Sequence, residues 1–315
     1  MNDEFAQDVL TGLSSNPKYI SSKYFYDKVG SDLFVQIMHS DEYYVTDAEL
    51  DIFQNKTSEI IDGLALDQDQ EYEIIELGAG DGSKTIHLLS ALLEREYSIE
   101  YIPIDISIDA LKGLEKSLST QLPDLSIKAQ HGEYFSVLNQ LKNNKLPKII
   151  LFLGSNLGNL TDEQSTEFIY ALGCELQTNN KILLGLDMIK SREIVLPAYN
   201  DAKGITAEFN YNLLRRMNRE LDADFVIDQF IHAPDYIESE GIAKSFLKSL
   251  VDQKVTIGRL NKIFYFNKGE LLQTEMSRKY NNEVIGNILN KTDFKITDKI
   301  VDSKNLYANY IIEKC

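Results

Sequence analysis

The 315-residue sequence predicts an α/β protein: a parallel sheet covered by helices, with a second, smaller β-containing unit inserted into it. Between about residues 72 and 190, short runs rich in apolar and β-branched residues alternate with helix-length amphipathic segments. This alternation is typical of a parallel sheet covered by helices. After residue 190 it stops, and a long helical stretch precedes several short alternating runs. A chain of this length can bury one large core together with a smaller appended one.

The individual elements of the main sheet follow from local patterns. Strands are predicted at 73–77, 99–104, 125–130, 148–153 and 181–187, and helices at 84–95, 107–120, 134–142 and 162–177. The fourth strand, "KIILFL", is almost purely apolar, as expected for a central parallel strand that is covered on both faces.

The inserted unit and the end of the chain have their own patterns. The insertion should hold a helical stretch, "AYNDAKGITAEFNYNLLRRMNREL", and then short strands near 225–232, 237–247, 254–258 and 262–266. A helix at 276–290 and strands at 294–301 and 306–313 should return the chain to the main sheet.

Composition excludes several classes of function. Asp and Glu outnumber Lys and Arg by 49 to 32, for a formal charge of -17, which opposes binding to nucleic acid. The longest apolar runs are far shorter than the roughly 20 residues that cross a bilayer. The acidic start, "MNDEFAQDVLTG", does not resemble a secretory signal, so a cytoplasmic protein without membrane contact is expected. Cys174 and Cys315 lack metal-ligand spacing and are interpreted as incidental.

A glycine-rich turn, "ELGAGDGSKT", connects the first predicted strand to the first predicted helix. Its glycines have the spacing G-x-G-x-G, and Ser83 stands where the dinucleotide fingerprint requires a third glycine, so a nicotinamide cofactor is disfavoured. The Walker spacing is also absent. Gly78 and Gly80 would let the backbone approach a ligand closely, which suits an adenosyl sulfonium without phosphates. Asp81 is better explained as a local turn residue.

Two further strand ends extend this hypothesis. Asp105 ends the second strand and could accept hydrogen bonds from both ribose hydroxyls. Glu133 and Tyr134 follow the third strand, where they could contact the amino group and the ring of adenine. Together the three strand ends favour S-adenosylmethionine as the cofactor. The alternative is that the glycines form only a tight turn and the acids lie on a solvated edge.

The sequence resembles the histidine-specific Nα-methyltransferases of ergothioneine biosynthesis from about residue 20 to 313. The matching segments are "KYFYDKVGSDLFVQIMHSDEYYVTDAE", "ELGAGDGSKT", "FLGSNLGNL", "LLGLDMIK", "AYNDAKGITAEFNYNLL" and "TEMSRKY". The resemblance implies a Rossmann-like class I methyltransferase domain (61–195 and 275–315) and a substrate-binding domain (1–60 and 196–274). It also implies three methyl transfers to the α-amine of L-histidine, which yield hercynine.

The resemblance also implies roles for individual residues. In the cofactor site, Tyr43 would meet the methionine carboxylate, with Gly78, Lys84 and Asp105 completing the site. In the substrate site, the residues that the resemblance implies are Asn159 and Tyr199 for the amine and carboxylate, Glu275 and Ser277 for the imidazole, and Tyr26 and Phe34 for the amine pocket.

Each of these residues also has a plain structural explanation. Tyr26 and Phe34 could be ordinary packing, and Asn159 could be a turn residue. Tyr199 could cap a helix–loop junction, and Glu275 and Ser277 could be caps at the start of the predicted helix.

The sequence departs from the family pattern at two places. Ser245 stands where histidine enzymes commonly place a methionine beside the imidazole, and "GSNLGN" replaces the frequent "GGTIGN". A methyltransferase for another aromatic amine, such as a tryptophan-like one, therefore stays open as an alternative, and so does a ligand-sensing protein. Against an indole, Glu275 and Ser277 would leave at least one buried acceptor unpaired, at roughly 1 to 3 kcal/mol.

Methyl transfer from a sulfonium is an in-line displacement, so positioning of the amine is the main requirement. The α-amine has a reference pKa near 8 and must release a proton, for which Tyr26 and Tyr199 are candidate relays. Aromatic faces suit the methylated cation that forms. None of the four histidines has triad or metal spacing, so no metal is expected. A monomer is the simplest assembly.

Overall fold

The computed structural model describes residues 3–142 and 144–315 of the chain. The strands in chain order are β1 (Lys18–Tyr19), β2 (Glu71–Leu77), β3 (Ser98–Asp105), β4 (Ser126–Ile127), β5 (Gln130–His131), β6 (Lys148–Phe152), β7 (Lys181–Asp187), β8 (Phe230–His232), β9 (Asp235–Ile237), β10 (Ile242–Ser249), β11 (Gln253–Ile257), β12 (Lys262–Phe266), β13 (Leu271–Arg278), β14 (Phe294–Val301) and β15 (Tyr307–Lys314).

The helices in chain order are α1 (Asp3–Ser14), α2 (Lys28–Met38), α3 (Tyr44–Asn55), α4 (Thr57–Leu64), α5 (Thr85–Glu94), α6 (Ile108–Gln121), α7 (Tyr134–Leu141), α8 (Asp162–Glu175), α9 (Arg192–Val195), α10 (Ile205–Leu221) and α11 (Asn282–Leu289).

The chain forms two compact units. One comprises Val45–Met188 and Tyr280–Cys315 and is called here the large-sheet unit. The other comprises the residues up to Tyr44 together with Ile189–Lys279 and is called the small-sheet unit.

The large-sheet unit is built on a sheet with the strand order β14-β15-β7-β6-β2-β3-β4, in which β5 also pairs with β3. The pairs β2–β3, β2–β6 and β6–β7 are parallel, and β15 adds antiparallel to β7. Every residue of β6 is buried, as its apolar sequence predicts for a central strand. The α/β fold class is thereby confirmed. The strand predicted at 125–130 is split into β4 and β5.

Local sequence signals begin the helices that cover this sheet. Thr161 and Gln164 form a reciprocal capping box at the start of α8. The Ser107 hydroxyl caps α6 by accepting from the amide of Ala110 at 3.3 Å. Helix α6 therefore begins close behind the end of β3, whereas the short helix Asn156–Asn159 lies between β6 and α8. Loops at such strand ends are where ligand-binding groups are expected.

The small-sheet unit holds a second, mostly antiparallel sheet with the order β1-β13-β10-β8, in which β9 also pairs with β10. Strand β1 pairs in parallel with β13, so the start of the chain joins the insertion in one unit, as predicted. Helices α1, α2 and α10 supply apolar residues to the core of this unit. Representative members of that core are Phe5, Phe25, Phe209, Leu213, Leu247 and Leu272.

Two helix starts, one at each border of the insertion, are predicted too early. The segment predicted as a helix from 276 onward is strand up to Arg278, because it pairs along its length with β10, and helix α11 begins only at Asn282. Its N-cap is Asn281, which accepts from the amide of Val284. The helix predicted from 198 likewise begins later, at Ile205, after the Asp201 carboxylate has accepted from the amides of Ile205 and Thr206.

The predicted domain boundaries also need correction. Residues 45–60 belong to the large-sheet unit, since Glu49 of α3 bonds the Gly154 amide and the Tyr307 hydroxyl within that unit. Residues 189–195 and 275–279 belong to the small-sheet unit, the latter because β13 continues unbroken to Arg278. Within the described ranges no helix is both long and apolar enough to cross a membrane.

Candidate active site

The glycine loop after β2 has the backbone geometry that its sequence predicts. Gly78, Gly80 and Gly82 have φ values of +74°, +57° and +71°, a region that residues with a side chain rarely adopt. A Cβ at Gly78 would lie 2.7 Å from the Tyr134 hydroxyl oxygen, whereas a Cβ at Gly80 would meet no described atom within 4 Å. A side chain at Gly78 would therefore clash with Tyr134, whereas the space beside the backbone at Gly80 is open. Asp81 accepts from the Ser83 amide, which confirms its role as a local turn residue.

The next strand ends bring the other predicted cofactor residues into the same unit. Asp105 ends β3, and its carboxylate accepts from the Ser107 amide at 2.8 Å. Tyr134 begins α7, and burial, together with the nearby Asp105 and Glu76 carboxyls, raises the pKa of its hydroxyl to about 12. Glu133 is exposed at the N-cap of the same helix and makes no side-chain cap bond.

Ile106, which the sequence reasoning missed, follows Asp105 and is 72% exposed. A single exposed apolar side chain is common on protein surfaces, so only its place next to the carboxylate predicted to bind the ribose makes Ile106 a candidate for contact with the cofactor. Its position directly after the acid that ends the second strand is the signal that could have revealed it.

Buried acids near the loop were also missed. Glu76, on β2, accepts from the Thr85 hydroxyl at 2.8 Å and from the Tyr101 hydroxyl. Burial raises its pKa to about 7, and these two hydrogen bonds oppose that shift. The carboxyl group holds the strand that precedes the glycine loop to the helix that follows it.

Glu49 has the same role at the other end of the loop. Its fully buried carboxylate accepts from the Gly154 amide at 3.0 Å and the Tyr307 hydroxyl at 2.8 Å, and it forms an ion pair with the Lys84 ammonium. Lys84, predicted to bind the cofactor, is therefore fixed by an acid from α3. The sequence carries no signal for this contact, because the two residues lie 35 positions apart.

Asn159 lies in the large-sheet unit, at the end of the short helix Asn156–Asn159 that follows β6. Its side chain is exposed. Asn159 therefore belongs to the same unit as Gly78, Lys84 and Asp105. The other predicted substrate residues, Tyr199, Glu275 and Ser277, belong to the small-sheet unit.

An aromatic cluster lies in the small-sheet unit. The ring centroids of Tyr26 and Phe34 are 5.4 Å apart, those of Phe34 and Tyr43 are 6.2 Å apart, and Phe209 of α10 lies 5.9 Å from both Tyr26 and Phe34. Tyr26 is 48% exposed, so the cluster is not simply core packing. Phe209 was missed because an aromatic residue on an amphipathic helix is indistinguishable from ordinary core.

Tyr43, predicted to meet the methionine carboxylate of the cofactor, lies in the small-sheet unit. Burial raises the pKa of its hydroxyl, and Tyr199, Tyr26 and Glu275 add to the rise while the Lys279 ammonium opposes it. These four residues lie in the small-sheet unit, as Tyr43 itself does. The contact of Tyr43 with the cofactor stays a prediction.

Glu275 and Ser277 lie on strand β13 and are not helix caps. Glu275 is opposite Ser245 on β10, and the Ser245 hydroxyl donates to the Glu275 carboxylate at 2.9 Å. Burial raises the pKa of Glu275, whereas the Ser245 hydrogen bond and the Lys279 ammonium lower it. Ser245, predicted to border the imidazole, thus holds the carboxylate in place.

Lys279 is a further functional candidate that the sequence reasoning missed. It is 1% exposed, and its ammonium donates to the Tyr199 hydroxyl at 2.7 Å and to the Ser277 hydroxyl at 2.9 Å. The ammonium also lies 4.8 Å from the centre of the Tyr199 ring. The motif "TEMSRKY" contains this lysine, but a lysine at the end of a strand is ordinarily solvated.

Tyr199 is held from both ends. Besides the contact of its hydroxyl with Lys279, its backbone carbonyl lies 2.9 Å from Nε2 of His232. Burial lowers the pKa of His232, so the neutral ring donates from Nε2 to this carbonyl. His232 has neither triad nor metal spacing in the sequence, and in the structure it supports the position of Tyr199.

The chain has a largely parallel sheet with a left-handed glycine turn at one strand end and a carboxylate at the next, an arrangement typical of α/β proteins that bind nucleotide-like ligands at the carboxyl ends of their strands. Comparison with known proteins identifies it further: residues 5–314 match the family described as "Histidine-specific methyltransferase, SAM-dependent". The chain belongs to this family. It is a methyltransferase, and S-adenosylmethionine is its cofactor.

Curated relatives agree with this assignment. The histidine N-alpha-methyltransferase of Mycolicibacterium smegmatis (strain ATCC 700084 / mc(2)155) is 36% identical over 277 residues, which covers 88% of this chain and 84% of that protein. The protein of the same name from Mycobacterium tuberculosis (strain CDC 1551 / Oshkosh) is 34% identical over 280 residues, covering 89% and 85%. Ergothioneine biosynthesis protein 1 of Schizosaccharomyces pombe (strain 972 / ATCC 24843) is 27% identical over 302 residues, covering 94% of this chain and 39% of that protein.

Proposed function

We propose that this methyltransferase transfers three methyl groups in turn to the α-amine of L-histidine, giving the trimethylammonium product hercynine. The observation that supports histidine most directly is the pair Glu275 and Ser277, a carboxyl and a hydroxyl two positions apart on one strand. Ser277 is buried and Glu275 is partly buried. An imidazole has a ring N–H and a ring nitrogen for two such partners. An indole has only an N–H, so it would leave one of them unpaired at a cost of about 1 to 3 kcal/mol.

The large-sheet unit fits the cofactor. The positive φ of Gly78 and Gly80 and the open side of Gly80 leave room for a ligand against the backbone, and Asp105 is suited to the ribose hydroxyls. Glu133, Tyr134 and Ile106 are proposed to border the adenine. Because Lys84 stays paired with Glu49, we propose that it orders the loop and lends positive charge to the carboxylate of the ligand. When bound, S-adenosylmethionine supplies an electrophilic methyl group on a sulfonium.

The small-sheet unit is proposed to orient the amino acid. Tyr199 would contact the polar end of histidine. Asn159 and Tyr43 keep the roles that the family resemblance implies: Asn159 as a partner for the amine and carboxylate of the substrate, and Tyr43 as a partner for the methionine carboxylate of the cofactor. The α-amine, with a reference pKa near 8, must lose a proton before it can attack. Burial raises the pKa of both Tyr26 and Tyr43, so these hydroxyls keep their protons at neutral pH and act as donors or relays rather than as bases.

The aromatic cluster supports repeated methylation. Each methyl group removes a hydrogen-bond donor from the nitrogen, and the final product is a bulky cation without any N–H. The ring centroids of Tyr26, Phe34 and Phe209 lie 5.4 to 5.9 Å from one another. Aromatic faces stabilise such cations by about 0.5 to 2 kcal/mol. The strong acidic excess of the chain further favours a small-molecule substrate over nucleic acid.

The purified protein, mixed with S-adenosylmethionine and L-histidine, tests the proposal by mass spectrometry of the product. We expect histidine carrying one, two and finally three added methyl groups, with the last accumulating. Tyrosine and tryptophan are assayed in parallel. A protein that ignores histidine but methylates another amine would contradict the histidine assignment and leave the methyltransferase assignment intact, and a product that stops at one methyl group would contradict the three-step reaction.

A further inference from the structure

The buried ammonium of Lys279 determines which hydrogen-bonding roles its two hydroxyl partners can take. An ammonium has three N–H donors and no lone pair, so both the Tyr199 oxygen and the Ser277 oxygen must accept from it. The hydroxyl protons of these residues consequently point toward other acceptors. The Ser277 oxygen accepts from Lys279 with one lone pair, so its single proton is directed away from the ammonium and is available to another acceptor.

The neighbouring carboxyl has the opposite role. The Ser245 hydroxyl donates to Oε2 of Glu275 at 2.9 Å, and an ionised carboxylate can only accept. Burial raises the pKa of Glu275, and the Ser245 hydrogen bond and the positive charge of Lys279 oppose that rise. Strand β13 therefore presents a fixed acceptor at Glu275 and a hydroxyl biased toward donation at Ser277.

We propose that Lys279 is a positioning residue that makes Ser277 a hydrogen-bond donor, so that Glu275 and Ser277 together select the neutral imidazole of the substrate. A neutral imidazole has one N–H for Glu275 and one ring nitrogen with a lone pair for Ser277. A ring with an N–H alone leaves the Ser277 proton without an acceptor. An imidazolium has no lone pair to accept the Ser277 proton, and its positive charge is repelled by the Lys279 ammonium. The proposal rests on the proposed histidine substrate and deepens it.

The test compares two ligands that differ at one ring atom. L-histidine and pyrrolylalanine, whose pyrrole ring has an N–H but no acceptor nitrogen, are titrated by calorimetry into the protein saturated with S-adenosylhomocysteine; the better-binding pyrrolyl isomer is used. We expect the parent to bind histidine about tenfold more tightly than the analogue or better, because a buried donor without a partner is costly. The ratio is measured again for Lys279→Met, Lys279→Arg and Ser277→Ala.

In Lys279→Met the preference should fall to about threefold or less, while Lys279→Arg, which keeps the donors, should retain most of it. Ser277→Ala should lose the preference as well, and the double variant should resemble either single variant, because the two residues act through one hydroxyl. A merely structural role of Lys279 would lower the amount of folded protein without changing the ratio of two affinities.

An unchanged ratio in Lys279→Met overturns the proposal. Should that variant fail to fold, Ser277→Ala decides, since an unchanged ratio there is equally fatal. These results are separable from the proposed function: a parent that neither binds nor methylates histidine contradicts the function, whereas a parent that methylates histidine with a ratio indifferent to Lys279 contradicts only this inference.

Discussion

The glycine loop of the large-sheet unit and the polar cluster of the small-sheet unit are organised on different principles. Around the loop, backbone geometry shapes the ligand site: three glycines at positive φ and a carboxylate at the end of the next strand. In the small-sheet unit, side chains from separate segments depend on one another, as in the contacts from Ser245 to Glu275 and from Lys279 to Tyr199. A site shaped by backbone should keep its geometry when a neighbouring side chain is substituted. In a network of side chains, loss of one member should also weaken the contacts of the others.

The contrast is not absolute, because Glu49 is an interlocked side chain within the large-sheet unit. Replacing Glu49 by alanine removes the acceptor for the Gly154 amide and the Tyr307 hydroxyl and leaves the Lys84 ammonium without its ion-pair partner. We expect the free energy of unfolding to fall by about 3 to 5 kcal/mol, measured by urea denaturation.

The exposed Asp47 on the same helix provides the matched control, and Asp47→Ala should change the stability by less than about 1 kcal/mol. If Glu49→Ala proved as mild as the control, the carboxylate would have no structural role in the loop.

Asp105 tests the backbone-defined site itself. Asp105→Ala should weaken binding of S-adenosylhomocysteine by about 2 to 3 kcal/mol, because a carboxylate that accepts from two hydroxyls is lost. Stability should change little, since the carboxylate accepts only a local turn amide in the structure. Asp109→Ala, at an exposed acid in the first turn of the following helix, is the control. Unchanged cofactor affinity in folded Asp105→Ala protein would remove Asp105 from the site.

Glu275 tests the interlocked site. Glu275→Ala should lower kcat/KM for histidine by about 1.5 to 3 kcal/mol, roughly ten- to a hundredfold or somewhat more, while the protein still folds. The same variant should accept tryptophan better than the parent does, because the carboxyl that an indole leaves poorly matched is gone. The exposed Glu240 serves as the control site. Steady-state assays with both amino acids decide the matter, and an equal loss for histidine and tryptophan would mean that Glu275 does not discriminate between the rings.

The same contrast explains how much of the molecule could be predicted from its sequence. Glycine spacing and strand ends are local signals, and they located Gly78, Gly80 and Asp105 as well as the order of the main strands. The partners of buried side chains are set by tertiary contacts, so neither Glu49 nor Lys279 was identified. Strand β13 was partly mistaken for helix because its last residues carry no clear alternation, and only pairing with β10 shows that Glu275 and Ser277 lie on a strand.

The smallest expected effect concerns His232, which supports the backbone of Tyr199. Nε2 donates to the Tyr199 carbonyl, and Nδ1 has no partner among the described residues, so a second proton would be buried without an acceptor. Burial is the main cause that lowers the pKa of this ring below its usual 6.5, although the carbonyl and the nearby Asp201 oppose the shift.

The sign of the pH effect follows from linkage. Below about pH 6.5 the unfolded chain binds a proton at His232 that the folded protein takes up only at a lower pH. The stabilisation is therefore fully present above this pH and is lost as the pH falls, by at most about 1.4 kcal/mol per pH unit.

Urea denaturation of the parent and of His232→Gln from pH 7.5 to 5 (about the range in which histidine changes charge) measures the difference. We expect the stability advantage of the parent over the variant to shrink toward acid pH. His39→Gln, at an exposed histidine, is the control variant and should show no such trend. A constant advantage of the parent across this range would show that His232 takes up its proton equally easily folded and unfolded, and that the support of Tyr199 does not depend on a neutral ring.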